Sequence, residues 1–290
     1  PVEVLEVDLF GGRVHTLSLA SDNNNLEWLV NNEFSMVFFP DIGMNLESIF
    51  LSNLRIAPIQ VCGYGHPVST FGAEIDYWLG GIDTEDHASY AHNYDERLVL
   101  ITGAGVVPNR PLYQRRDLLR PTDRVRIGCP WTGQKINYPL LCTLAKIVEQ
   151  SKRDIVFEIY PGAATMHGAF TALRSDIRET LDPASFLLLG DLQYSDYMDH
   201  IETCDFTLDS FPFGGYATAT DSLFLRKPMV TREGDKFYNR SAASLLRACK
   251  LDELITKTEE EMVSTTVRMI DDLPFRLDVI RRLEALDLDN

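Results

Sequence analysis

Positive charge is scarce in this chain: 27 lysines and arginines face 43 aspartates and glutamates over 290 residues, a formal net charge of −16, and the pI is near 4.7. That balance makes non-specific attraction to nucleic acid or an anionic membrane surface unfavourable, so neither is expected as a partner, and any anionic ligand must be held by a local positive site. Paired cysteines are also missing. The five thiols, Cys62, Cys129, Cys142, Cys204 and Cys249, are scattered, odd in number and without C-x-x-C spacing. This argues against a disulfide framework or a zinc site and for a reducing, cytoplasmic compartment. No apolar run is long enough to span a bilayer, no stretch reads as a signal peptide, and no low-complexity tract interrupts the sequence.

What is present is enough apolar material for a sizeable core, 45% hydrophobic and 10% aromatic residues, with room for one large or two modest domains. From residue 123 onward short apolar runs alternate with amphipathic ones: 125–129 then 138–150, 155–160 then 166–180, 186–189 then 196–202, 206–208 then 218–225, and 229–231 then 241–248. Strands separated by single helices run parallel, are covered on both faces and end along one rim, where such sheets bind ligands. The loop carrying Lys135, the loop carrying Tyr194 and Tyr197, the Gly214-Gly215 turn and the Glu233-Gly234 turn are all expected at that rim.

The stretch Phe211-Pro212-Phe213-Gly214-Gly215-Tyr216, followed by Ala217-Thr218-Ala219-Thr220-Asp221, leaves a short strand, turns through two glycines and opens a helix. Free amides at a helix start attract anions. Gly214 and Gly215 permit positive φ and close approach of a ligand, Thr218 and Thr220 offer hydroxyls, and Asp221 can accept from a sugar hydroxyl. An ordinary N-capped turn fits the same residues. Lys135 is the only cation in Trp131-Thr132-Gly133-Gln134-Lys135-Ile136-Asn137, ahead of a helix that Pro139 can start. A solvated lysine is the plainer reading of it. The residue opposes the helix dipole, however, and a diphosphate between the two removes the conflict.

In the first hundred residues, 2–9, 35–39 and 56–62 read as strands and 26–32 and 46–54 as helices, which is only the later part of a βα sheet. The first domain is therefore expected to be incomplete, a fragment or a shortened form. His66 follows a predicted strand, bracketed by Gly63, Gly65 and Pro67, where a histidine can act as general base or simply as a turn residue. The stretch from Asp83-Thr84-Glu85-Asp86-His87 through His92 and Asp95 lacks paired-ligand spacing and reads as hydrated linker rather than a metal site. Arg115-Arg116 and Arg120-Pro121 read as solvated connector. The organisation expected is a partial N-terminal Rossmann-like domain over 1–97, a connector over 98–122, and a nucleotide-sugar-binding Rossmann-like domain with terminal helices over 123–290.

The stretches that carry the chemistry also carry a resemblance. Ile56-Ala57-Pro58-Ile59-Gln60-Val61, then Gly65-His66-Pro67-Val68-Ser69-Thr70 and Ile75-Asp76-Tyr77, resemble the end of the first catalytic domain in glycosyltransferase family 41, the protein O-GlcNAc transferases and bacterial adhesin N-glucosyltransferases. Lys135-Ile136-Asn137, Phe211-Pro212-Phe213-Gly214 with Asp221, and Lys227-Pro228-Met229-Val230-Thr231 with Arg240-Ser241-Ala242-Ala243-Ser244 follow in family order across residues 35–255.

The resemblance implies an α/β, GT-B-like fold, two Rossmann-like βαβ domains facing a cleft, the first of them incomplete here. It implies that Lys135 contacts the UDP diphosphate, Asp221 the ribose, and Tyr197 and Thr132 the uridine. Gly214, Gly215, Ala217 and Thr218 would line the diphosphate, and His66 would stand on the acceptor face as the candidate base. Gly215-Tyr216-Ala217-Thr218 replaces a more polar tetrad of the family. The activity implied is that of an inverting hexosyltransferase moving glucose or N-acetylglucosamine from a UDP-sugar to a protein or peptide side chain. The competing readings are a UDP-sugar-binding pseudoenzyme or regulatory module and a purely structural interaction domain. With the sole D-x-D, Asp287-Leu288-Asp289, in the tail, no metal and no cofactor is expected, and the leaving diphosphate would be stabilised by Lys135 and a helix dipole.

Overall fold

The computed structural model of the chain describes residues 4–5, 14–15, 24–43, 46–65, 68–116, 123–162, 167–190 and 192–288. Two compact units divide it, one comprising 1–82 and 87–106, the other 83–86 and 107–290. No helix among the described residues is long and apolar enough to cross a membrane.

The first unit holds a short antiparallel ladder, β1 (Val4–Leu5) with β2 (Val14–His15), then helix α1 (Asn24–Asn31), β3 (Val37–Phe39), α2 (Leu46–Ser52), β4 (Gln60–Gly63), β5 (Tyr77–Gly81) and β6 (Arg97–Ile101). Strands β3-β4-β5-β6 form a parallel sheet in that order. The strand expected over 56–62 begins only at Gln60. The reason is the Gln60 side chain itself: its Oε1 accepts from the amides of Ile56 (2.8 Å) and Ala57 (3.3 Å), while its amide nitrogen donates to the Leu54 carbonyl, so the preceding residues fold back on it as a turn. β6 extends the sheet into the stretch expected as connector, with Leu98 packed on the small core of Phe39, Ile42, Cys62, Ile75 and Trp78.

The second unit follows the predicted alternation closely. Its elements are β7 (Val125–Cys129), α3 (Tyr138–Gln150), β8 (Ile155–Ile159), α4 (His167–Thr180), β9 (Phe186–Leu188), α5 (Tyr194–Glu202), β10 (Phe206–Leu208), α6 (Ala217–Phe224), β11 (Met229–Arg232), α7 (Ser241–Ala248), β12 (Ile255–Thr256), α8 (Glu259–Asp271) and α9 (Leu273–Glu284). Local chemistry sets the helix starts. Asn137 caps α3 by accepting from the Leu140 amide (3.0 Å) with Pro139 in the first turn, and Thr258 and Glu261 close a capping box on α8.

All pairings in this sheet are parallel and the order is β12-β11-β10-β7-β8-β9. The chain winds outward from β7 in one direction, then returns to place β10 on its other side. That reversal is the switch point at which doubly wound sheets open a crevice. Beneath it lies a continuous apolar core containing Ile127, Leu144, Ile147, Phe157, Phe206 and Leu208, all essentially inaccessible to water. Each such side chain contributes about 1.5–3 kcal/mol relative to exposure.

Candidate functional site

The loops that leave β7 and β10 are tied to each other at the switch point. Lys135, in a 3₁₀ turn over Gly133–Lys135, reaches across so that its Nζ donates to the Gly214 carbonyl at 2.8 Å, and it stands 5.2 Å from the centre of the Phe213 ring. Asn137 completes the tie: besides capping α3, its Nδ2 donates to the Phe211 carbonyl at 2.9 Å. Trp131, fully buried, donates from Nε1 to the Leu208 carbonyl at 2.8 Å and fixes the β7 loop against the end of β10. Burial pushes the Lys135 ammonium below its ordinary range, and the charge of Asp209 works against that.

Asp209 is the main residue that sequence reasoning missed. It directly follows β10, is 2% exposed, and lies under the glycine turn. Its Oδ1 accepts from the amides of Gly215 (3.0 Å) and Ser210 (2.9 Å), and its Oδ2 from the Thr231 hydroxyl (2.8 Å). Burial raises its pKa, while Thr231, Lys135 and the two amides act in the opposite direction. The signal available in the sequence was an aspartate directly after an apolar strand and directly before the loop; only topology shows that it sits beneath the turn.

The two glycines serve the turn differently from expectation. Neither adopts positive φ. What they provide is close approach: a Cβ on Gly215 would stand 2.0 Å from the Thr218 hydroxyl oxygen, and one on Gly214 2.9 Å from the Asp209 carboxylate and 3.2 Å from the Tyr238 carbonyl. The turn leads into α6, whose N-cap, Tyr216, gives the first-turn amides no side-chain cap, and Ala217 is exposed at that end. The macrodipole directs partial positive charge there. The Thr220 hydroxyl donates back to the Tyr216 carbonyl at 3.1 Å and serves the helix.

Beside this turn, Pro130, Thr132, Tyr160, Gly162, Gly190, Leu192, Tyr194, Tyr197 and Thr218 line a pocket of about 260 Å³. The strand ends that contribute to it are those of β7, β8 and β9, with the starts of α5 and α6. Tyr194 and Tyr197 lie in the first turn of α5 rather than in a loop, and Tyr197 packs edge-on against Tyr160 at 5.5 Å between ring centres. Asp221, on α6, is 8% exposed, and its Oδ1 accepts from the Tyr194 hydroxyl at 2.7 Å. The Tyr197 hydroxyl is buried without a well-aligned partner among the described residues and lies close enough to Asp221 to feel its charge. Burial, then Asp221, pushes both phenols up.

The structure thus gathers Thr132, Lys135, Tyr197, Gly214, Gly215, Ala217, Thr218 and Asp221 around one rim of one sheet. His66 lies outside the described residues. Glu233 follows β11 at this rim, as expected, but it is 2% exposed and serves as an anchor bound by Arg247 (2.7 and 2.6 Å), Arg240 (3.2 Å) and Lys257. Burial acts to raise its pKa, but these cations prevail and hold it down at about 2. Among the described residues no group of three or more histidines, cysteines or carboxylates is arranged to hold a metal ion.

No family model matches the chain. It is 28% identical over 261 residues to the UDP-glucose:protein N-beta-glucosyltransferase of Actinobacillus pleuropneumoniae serotype 5b, an alignment that covers 87% of this chain and 40% of that protein. A shorter stretch of 78 residues, 27% of this chain and 8% of the relative, is 35% identical to the probable UDP-N-acetylglucosamine–peptide N-acetylglucosaminyltransferase SPINDLY of Hordeum vulgare. Among solved structures, an O-GlcNAc transferase of Thermobaculum terrenum superposes with a TM-score of 0.77 at 22% identity, covering 89% of this chain and 49% of that one. That likeness shows the fold, GT-B-like α/β with parallel sheets, and the relatives bear out the resemblance to glycosyltransferase family 41. The chain spans 40% of the length of the glucosyltransferase it matches.

Proposed function

We propose that this chain is the UDP-sugar-binding portion of an inverting, metal-independent glycosyltransferase that moves glucose or N-acetylglucosamine onto a protein side chain. The observation that carries the reading is the Lys135–Gly214 tie at the switch point, set between an open helix start and a tyrosine-lined pocket, one of whose tyrosines, Tyr194, donates to the buried Asp221 carboxylate. In this reading the uracil enters the pocket beside Tyr197 and Thr132, the ribose hydroxyls meet Asp221, and the diphosphate lies over Gly214, Gly215 and the first turn of α6.

Transfer breaks the bond between the sugar C1 and the diphosphate oxygen, whose electron pair leaves with UDP, while the acceptor's nucleophilic atom bonds to C1 from the opposite face and gives up a proton. Charge develops on the departing diphosphate. Lys135 and the α6 amides are already in place to meet it, so little reorganisation is needed at that moment. Asp209 serves from below: it fixes the Gly215 amide, and its charge works against the burial that lowers the Lys135 pKa. His66 enters by resemblance alone, as the candidate group on the acceptor side.

The test is incubation of the chain with protein acceptors and either UDP-glucose or UDP-N-acetylglucosamine, followed by mass spectrometry of the acceptors. A gain of one hexose or one N-acetylhexosamine, with UDP released, is the expected result. UDP binding by calorimetry without any such gain would replace the transferase reading with that of a binding module, and absence of both would remove the nucleotide from the account.

A further inference from the structure

Asp221 is a buried carboxylate whose partners are phenols. Burial pushes it up, the Tyr194 and Tyr197 hydroxyls act the other way, and among the described residues no lysine or arginine is one of the groups acting on it. A carboxylate so placed is satisfied by hydroxyl donors. The two tyrosines differ in how firmly they are held. Tyr197 is wedged edge-on against Tyr160 and its hydroxyl is buried. Tyr194 is the first residue of α5, is 44% exposed, and lines the mouth of the same pocket. Its hydroxyl nevertheless occupies Oδ1 of Asp221 at 2.7 Å.

A vicinal diol is bound most strongly by a carboxylate when each hydroxyl has its own oxygen, and here Oδ1 already accepts from the Tyr194 phenol, which competes with a ligand hydroxyl for it. We propose that Tyr194 is a latch standing in for a ligand hydroxyl: its phenol, at the pocket wall, holds Asp221 Oδ1 and swings out when a ribose presents its diol, so that it sets how strongly the site prefers a ribonucleotide. This rests on the reading that a uridine nucleotide binds in this pocket. The exchange replaces one phenol-to-carboxylate hydrogen bond by another hydroxyl donor, so the ribose gains only the difference. A ligand without the diol leaves the latch closed and gains nothing from Asp221.

The test is calorimetric titration of the wild-type chain and of Tyr194→Phe, which keeps the ring and removes only the hydroxyl, with UDP and with 2′,3′-dideoxy-UDP. The expected result is UDP bound about five- to tenfold more tightly by the variant, since no phenol competes, with dideoxy-UDP unchanged within about twofold, so that the preference between them widens. Weaker UDP binding by the variant, or an equal shift for both ligands, would overturn the latch while leaving the nucleotide site standing. A wild-type chain that binds neither ligand would overturn the nucleotide site itself, and the latch with it.

Discussion

In the six-stranded sheet β7 is buried at all five positions, whereas the four-stranded sheet ends in β6, whose five positions alternate between exposed and half-buried. Phe38, Val99 and Ile101 on the smaller sheet are each more than a third exposed, as are Ile49 and Phe50 on α2. The two units consequently rely on different forces. The larger one is held by apolar packing on a sheet with a deep core. The smaller one leans on polar hubs at its strand starts: Gln60 gathers two amides and the Leu54 carbonyl, and Glu96, just before β6, accepts from the Ser69 hydroxyl and the Thr70 amide, each at 2.8 Å. A rim that must hold side chains to within half an ångström is better built on the first kind of support.

Three substitutions sharpen this contrast, measured by chemical denaturation. Leu144→Ala, in the core of the larger sheet, is expected to cost about 2–5 kcal/mol, because the surrounding helices cannot close over the lost side chain. Glu233→Gln breaks the buried anchor and should cost about 1–2 kcal/mol at pH 7, less than a fully buried pair because Arg247 and Lys257 are partly in water. The pH dependence has a definite sign. Glu233 is held at about 2 in the folded chain, so its stabilisation is full above the ordinary glutamate range and is lost as pH falls from about 4.5 to about 2. Wild type and variant should therefore converge in acid. Ile101→Thr, on the open face of the smaller sheet, should stay within about 0.5 kcal/mol of wild type. A loss comparable to that of Leu144→Ala would mean that this face is not the open one described.

Most of the larger unit was legible because strands buried on both faces read as uninterrupted apolar runs, and each predicted run from 125–129 to 229–231 coincides with a strand to within a residue or so. In the smaller unit the same rule failed. β5, which carries Gly80 and Gly81, was not among the predicted strands, yet Gly81 is required inside it because a Cβ there would stand 2.0 Å from the Ala104 backbone. At the site, charge scarcity and loop pattern placed Lys135 and the glycine turn at one rim, and the structure brings the two into contact. Asp209 and Trp131 were not legible, since an aspartate after a strand and a tryptophan in a loop are common, and their roles depend on which strands become neighbours. Tyr194 was legible as an aromatic near the rim, but its bond to Asp221 joins two helices 27 residues apart and follows only from the fold.

The most direct test of the cradle is calorimetric titration of the wild-type chain and Lys135→Ala with UDP and with uridine, which lacks the diphosphate. The account predicts that wild type prefers UDP by at least about tenfold, in keeping with charge-assisted contacts, and that Lys135→Ala loses most of that preference while binding uridine as before. An unchanged UDP affinity in Lys135→Ala would contradict it.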